Sequence, residues 1–280
     1  MILYNILKYI VGGNNMLEKE QPIIIQGAMN MEIEQLLKMI EIEKEECIHG
    51  FKFYIGKLNN YPVIISETLI GIVNVSMATL IAIEKYKPNA IINQGIAGSH
   101  VDYIHRNDIV VGEKSVNVNS FITGIKNKDE GSNPFEWQFG NRSFEVTCNE
   151  ELLKIAQKIN NEKQNLFFGI LGSGDIFNRE IDRIKWIQER KNTLSEDNES
   201  IAVYTICKKF NVPCIGFRTI TNNEVTQKES DGATSTRSDL AKDANRMITK
   251  KHDSSPAKVS QEFVVEYVEL LIKHIKNFTI

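Results

Sequence analysis

Residues 70–99 read IGIVNVSMATLIAIEKYKPNAIINQGIAGS, and this stretch sets the fold class. Over 73–86 the apolar residues recur at helical spacing, with alanine and methionine expected on the buried side. Pro88 lacks the N–H a helix needs and marks its end. Residues 90–94 then form a buried strand, which the small residues Gly95-Ile96-Ala97-Gly98 are expected to stop. A helix that leads through a proline into a buried strand is half of a βαβ unit.

The same alternation extends outward. Upstream, 22–28 (PIIIQGA) is a continuous apolar run ending in glycine, and 32–40 places Ile33, Leu36, Leu37 and Ile40 on one helical face. Residues 51–58 and 61–67 are two strands about Asn59-Asn60, a hairpin turn signal. Downstream come a strand at 108–118, a helix at 150–159, a strand at 166–171 and a helix at 200–210. A strand at 212–221 and an amphipathic helix at 258–275 complete the series. The prediction is an α/β fold with a central, mostly parallel sheet between helices, formed by one domain over 1–280. Two segments break the rhythm: a turn-rich insertion at 126–142 holding Trp137, and a long polar stretch at 222–256 expected to be a mobile loop. The first 20 residues are an extension. Their apolar run is short, is interrupted by Asn5 and Lys8, and lacks the basic region of a signal peptide.

Composition narrows the class. Lys and Arg number 33 against 36 Asp and Glu, net −3, and no basic block marks a nucleic-acid partner. Hydrophobic residues at 42% and charged residues at 25% are the proportions of a globular protein, not of a membrane-embedded or disordered one. Cys47, Cys148, Cys207 and Cys214 form no C-x-x-C pair and are expected reduced, which points to the cytoplasm. Phosphate-loop, H-E-x-x-H and G-x-S-x-G signatures are absent, and the five histidines lack metal-ligand spacing, so neither metal nor cofactor is called for.

The chemistry is therefore sought at the strand ends, where open α/β sheets bind ligands. They carry Gly27-Ala28-Met29-Asn30-Met31-Glu32, Gly95-Ile96-Ala97-Gly98, Gly172-Ser173-Gly174-Asp175-Ile176-Phe177, Glu196-Asp197-Asn198-Glu199-Ser200 and Arg218-Thr219-Ile220-Thr221-Asn222. Each alone has a plain structural reading: Glu32 and Glu199 suit helix N-termini, and Phe177 suits a core.

In order and spacing these segments resemble the nucleoside phosphorylase/nucleosidase superfamily, and most closely the methylthioadenosine/S-adenosylhomocysteine nucleosidases. The matching text is GAMNMEIEQLL (27–37), the stretch at 70–99, DIVVGEKSVNVNSF (108–121), GILGSGDIF (169–177) and EDNESIAVYTICKKFNVPCIGFRTITNNE (196–224). The resemblance implies a mixed, twisted sheet that closes partly into a barrel, a homodimer, and a small purine nucleoside as ligand. By resemblance, Glu32 activates the attacking water and Glu199 grips the ribose 2′- and 3′-hydroxyls. Phe177 stacks on the purine, with backbone contacts from Ile176 and Asn178. Ala97 and Gly98 line the sugar and base pocket, and Arg218 supports Glu199. Val118 and Phe121 match residues that reach the 5′ end of the substrate in the neighbouring subunit.

Two departures stand out. The family's nucleosidases carry an aspartic acid that serves purine N7, where this chain has Asn222. An amide donates a hydrogen bond but delivers no proton, and Glu224 is a substitute acid to consider. Asn198 stands where the family has methionine beside the ribose. The turns GAMNME, ETLIGI and GIAGSH contain no Arg or Lys, which favours water over phosphate as nucleophile. The expected activity is hydrolysis of methylthioadenosine or S-adenosylhomocysteine. The alternatives are a hydrolase or phosphorylase of another purine nucleoside, and a non-catalytic nucleoside binder.

Overall fold

The computed structural model describes residues 21–226 and 255–277. The N-terminal extension and residues 227–254 of the expected loop lie outside the described residues. In chain order the elements are β1 (Ile23–Gly27), α1 (Asn30–Ile33), α2 (Leu36–Met39), β2 (Glu41–Ile48), β3 (Phe51–Leu58), β4 (Tyr61–Glu67), α3 (Ile72–Tyr86) and β5 (Ala90–Ser99). They continue with β6 (Ile109–Asn117), β7 (Phe121–Ile122), β8 (Gln138–Phe139), β9 (Glu145–Thr147), α4 (Glu150–Ala156), β10 (Leu166–Ser173) and α5 (Ile181–Lys191). The last are β11 (Thr193–Asp197), α6 (Ser200–Phe210), β12 (Cys214–Asn223) and α7 (Ser255–Asn277).

All five residues of β1 are buried, as an isoleucine-rich strand must be when helices cover both faces of its sheet. Burying each such side chain contributes about 1.5–3 kcal/mol. The main sheet runs β11-β10-β6-β12-β5-β1-β4-β3-β2, and β11 also pairs with β5. That extra pairing closes β5, β12, β6, β10 and β11 into a ring, so half the sheet is a barrel and half an open blade. The sheet is mixed, its pairings evenly divided between parallel and antiparallel, and less parallel than periodicity suggests. The β3–β4 hairpin forms as expected. Asn59 (φ 52°) and Asn60 (φ 60°) both take the left-handed conformation of a type I′ turn.

Several expectations need correction. The helix expected over 32–40 is two short turns, because the Gln261 side chain of α7 accepts the N–H groups of Gln35 (2.8 Å) and Leu36 (3.2 Å). Tertiary contact thus interrupts what periodicity would continue. β5 is not stopped at Gly95; it runs on to Ser99 because the glycine segment stays paired with β12 and β11. On α3 the buried arc is Val75, Ala78, Thr79, Ala82 and Ile83, whereas Met77 faces outward at 45% exposure. Three elements lack the expected signals. β2 is an edge strand whose charged residues hide its alternation, α5 has few apolar residues, and β11 is short and polar. The expected loop starts too early and ends too late, since 222–223 close β12 and 255–256 open α7.

Candidate active site

The ends of β1, β10 and β11 and the second halves of β5 and β12 meet on one side of the ring. Glu32 lies on α1 just after β1 and is 3% exposed. Its Oε2 accepts from the backbone N–H of Ala28 (2.7 Å) and Met29 (3.1 Å), and its Oε1 from that of Ile96 on β5 (3.0 Å). The carboxylate therefore caps its own turn and also reaches across to β5. It does so only because residue 95 is glycine: a Cβ there would lie 2.6 Å from Glu32 Oε1. Burial pushes the Glu32 carboxyl above the ordinary range, while the three N–H groups and the charge of Arg218 pull the other way.

Glu199 caps the N-terminus of α6, and its Oε1 accepts from the Gly71 N–H at 3.1 Å. Burial first, and the charge of Asp197 second, push its carboxyl up to about 8. Behind it, Arg218 is 1% exposed and donates through Nε to Asp197 Oδ2 at 2.9 Å, while its Nη2 lies 4.0 Å from Glu199 Oε2. Arg218 Nη1 also donates to the carbonyl oxygens of Asn93 and Phe217, at 3.2 and 2.9 Å. Asp197 additionally accepts from Ser173 Oγ (2.9 Å) and Ser200 Oγ (2.6 Å), and from the backbone N–H groups of Glu199 and Ser200, both at 2.8 Å. Asp197, Ser173 and Asn93 escaped assignment from sequence, because only the folded register brings Asp197 and Asn93 to one guanidinium and Ser173 to Asp197.

The glycine turn after β10 joins this frame. Asp175 Oδ1 accepts the N–H of Ile72 at the start of α3 (2.9 Å), and Asn198 Nδ2 donates to the Gly174 carbonyl. Ile176 and Phe177 are half exposed, so Phe177 is not a core residue. Asn178 is committed to Glu196, with its backbone N 3.2 Å and its Nδ2 2.9 Å from Glu196 Oε1. Ala97 is buried, and Gly98 faces Asn222 in the β5–β12 register. Asn222 Oδ1 accepts from Thr221 Oγ1 (2.6 Å), and its Nδ2 donates to Glu224 Oε1 (2.6 Å).

Val118 borders this group, its backbone N–H donating to the Ser173 carbonyl at 3.1 Å, whereas the Phe121 ring packs in an aromatic cluster. Val118 is fully buried against Trp186, and Phe121 is half-buried with its ring 4.4 Å from the Arg183 guanidinium carbon and beside Trp137, Phe139 and Trp186. A buried His100–Glu196 contact beside Gly98 was also missed. The histidine spacing read as structural, and no pattern in the chain pairs those two positions.

The mixed, partly closed sheet thus gathers carboxylates and glycine turns at its strand ends. Residues 22–251 match the Phosphorylase superfamily model, and the chain belongs to that superfamily. Within it the chain is similar to the 5′-methylthioadenosine/S-adenosylhomocysteine nucleosidase of Buchnera aphidicola. The two are 34% identical over 201 residues, 71% of this chain and 83% of the relative. Among solved structures, the Helicobacter pylori 5′-methylthioadenosine/S-adenosylhomocysteine nucleosidase superposes with a TM-score of 0.71 at 24% identity, over 90% of this chain and 99% of that one. The futalosine hydrolase of Helicobacter pylori superposes with a TM-score of 0.70 at 23% identity, over 89% and 98%. These relatives are nucleosidases and hydrolases of nucleosides, that is, N-glycosyl hydrolases. Among the described residues, no helix is long and apolar enough to cross a membrane.

Proposed function

We propose that this chain hydrolyses the N-glycosidic bond of 5′-methylthioadenosine or S-adenosylhomocysteine, releasing adenine and the thioribose. The observation that carries this reading is the paired placement of Glu32 and Glu199 around one strand-end site. Cleavage gives the ribose oxocarbenium character and leaves negative charge on the departing base. A carboxylate at the sugar stabilises the first and takes a proton from attacking water. Glu32 fills that role. Glu199, backed by Arg218, accepts from the ribose 2′- and 3′-hydroxyls and fixes the ring for attack. An acid held at about 8 rewards such donors, since hydroxyls that bond its charged form return what burial removes. Ile176, Phe177, Ala97, Gly98 and Asn198 form the base and sugar walls. Asn178 reaches a purine only by leaving or sharing Glu196.

Water is the nucleophile. The backbone N–H groups of Ala28, Met29 and Ile96 that would cradle a phosphate already hold the Glu32 carboxylate, and a second anion there would meet its charge. Measuring free base by chromatography, with and without phosphate, tests this; product that forms only with phosphate overturns it. Asn222 supports a second substrate class, because its amide also pairs with the O6 and N7 of a 6-oxopurine. Release of hypoxanthine or guanine in preference to adenine would select that class, and bound but uncleaved nucleoside would mark a binding protein.

The assembly we propose is a homodimer. Val73, Met77 and Leu80 stand exposed along α3, with Leu69 and Ile70 beside them, an apolar stripe that a second copy would cover. Phe121 is the residue we assign to the 5′ group across that dimer; Val118 has no exposed surface with which to join it. The chain is read as one cytoplasmic domain, in keeping with three buried unpaired cysteines.

A further inference from the structure

One buried polar cluster at the base-side end of the site has no role in the steps above. Glu224 is 7% exposed just beyond β12, and its backbone N–H donates to the Ser99 carbonyl at 3.1 Å. A Cβ at residue 98 would lie 2.8 Å from both Cγ and Oε1 of Glu224, so Gly98 leaves the room its carboxyl occupies. Glu224 is thus folded back over the glycine segment that lines the proposed pocket. Its neighbours are Asn222 on β12, His100 after β5, Glu196 on β11 and Arg179, two residues beyond Phe177. His100 Nε2 lies 3.1 Å from Glu196 Oε2, off the line of a hydrogen bond, and its Nδ1 lies 2.8 Å from Thr193 Oγ1.

The carboxyls of the site differ in what holds them. Asp197 is bound by Arg218, Glu32 by three backbone N–H groups, and Glu199 by Gly71 on the sugar side. Among the described residues, the only side chain that hydrogen-bonds Glu224 is the amide of Asn222. Burial raises its carboxyl above the ordinary range, the nearby charge of Glu196 adds to that, and Asn222, Arg179 and His100 oppose it. A carboxyl so held releases its proton at higher pH than an ordinary glutamate does.

We propose that Glu224 is the proton donor to the departing purine, and that Asn222 is the amide that holds and aims it. This rests on the N-glycosidase reading above. In the step, the Glu224 O–H bond breaks as the purine N7–H bond forms, and the C1′–N9 electron pair passes into the base. Water oxygen bonds to C1′ while its proton goes to Glu32. After the base leaves, Glu32 releases its proton to solvent and Glu224 regains one from it.

The test compares initial rates of base release across pH for the unaltered protein, Glu224→Gln, Glu224→Asp, Asn222→Asp and the Glu224→Gln/Asn222→Asp pair. The unaltered protein should lose kcat as pH rises through the ionisation of Glu224. Glu224→Gln should lower kcat on the order of 10²–10⁴-fold with KM little changed, and should abolish that pH limb. Adding Asn222→Asp should recover about tenfold or more of the loss by supplying an acid at the neighbouring position. Glu224→Asp keeps an acid and should keep the limb at reduced rate, which serves if the glutamine variant does not fold. A Glu224→Gln protein with unaltered kcat and pH limb overturns the proposal, as does a Glu224→Asp protein without the limb. If the unaltered protein is silent and Asn222→Asp is active, Glu224 is not the donor although the hydrolytic site stands. Silence of both on every purine nucleoside overturns the N-glycosidase reading itself.

Discussion

The side of the site proposed for the sugar and the side proposed for the base are built differently. On the sugar side, Glu32 and Asp197 are fixed by backbone N–H groups, by β-strand register and by a guanidinium that is itself tied to backbone carbonyls. On the other side, the Asn222 and Glu224 side chains bond one another, as do those of Asn178 and Glu196, while the His100 ring bonds Thr193 and lies beside Glu196. A bond to the main chain constrains position whatever neighbouring side chains do, whereas a side-chain network changes with any member. The difference sets an expectation for where sequence change is tolerated: little in the first frame, more in the second.

Five substitutions break or sharpen that contrast. The largest effect belongs to Glu32→Gln, expected to lower the rate of base release on the order of 10²–10⁴-fold and, because an amide nitrogen cannot accept the N–H groups that now bond one carboxylate oxygen, to cost about 1–3 kcal/mol of stability. Arg218→Met leaves Asp197 buried without its cation, and urea denaturation should find a loss of about 3–5 kcal/mol. A loss as large from Thr221→Val, on the base side, would erase the distinction. Gln261→Ala strands the N–H groups of Gln35 and Leu36. It should cost about 1–3 kcal/mol in the same assay, with hydrogen exchange rising first at residues 30–39.

The smallest effect is a matter of sign. The Glu199 carboxyl sits at about 8 in the folded chain against an ordinary 4.5. Below the lower value both states are protonated and burial costs nothing. Between the two values the folded state holds a proton that the unfolded state has released, so stability falls as pH rises, and the full cost stands above about 8. Glu199→Gln should therefore raise the melting temperature of the free protein at alkaline pH and leave it nearly unaltered in acid, while nucleoside affinity drops. A lower melting temperature in alkali would show that the charge is a net stabiliser through Arg218.

The two halves were also unequally legible from the chain. β1, the β3–β4 hairpin, α3 and α7 follow from runs of isoleucine, from Asn59-Asn60, and from helical spacing that tertiary contacts do not oppose. Glu32, Glu199, Phe177 and Arg218 stand out because each closes a recognisable strand-end segment. β2 and α5 were hidden by charged or polar residues at exposed or edge positions, where burial leaves little pattern, and β11 by polar residues that are themselves buried between its pairings with β10 and β5. The Glu224 cluster was partly visible. Glu224 could be named as a substitute acid, but His100 and Glu196 come together only through the antiparallel β5–β11 pairing that closes the ring. Spacing along a chain carries no trace of such a closure.

The four-residue α1 is too short to persist as an isolated helix, and it carries Glu32. What steadies it comes from far along the chain: Gln261 donates to the Met31 carbonyl across 230 residues, and Ser260 orients Gln94, which in turn donates to the Glu32 carbonyl. During synthesis, then, β1 and its turn leave the ribosome long before the helix that locks them. A growing chain can carry a formed β1–β4 blade and still bring no ordered carboxylate to a nucleoside. The order around Glu32 therefore depends on the docking of α7, and a chain that stops short of that helix lacks the contacts that steady the carboxylate.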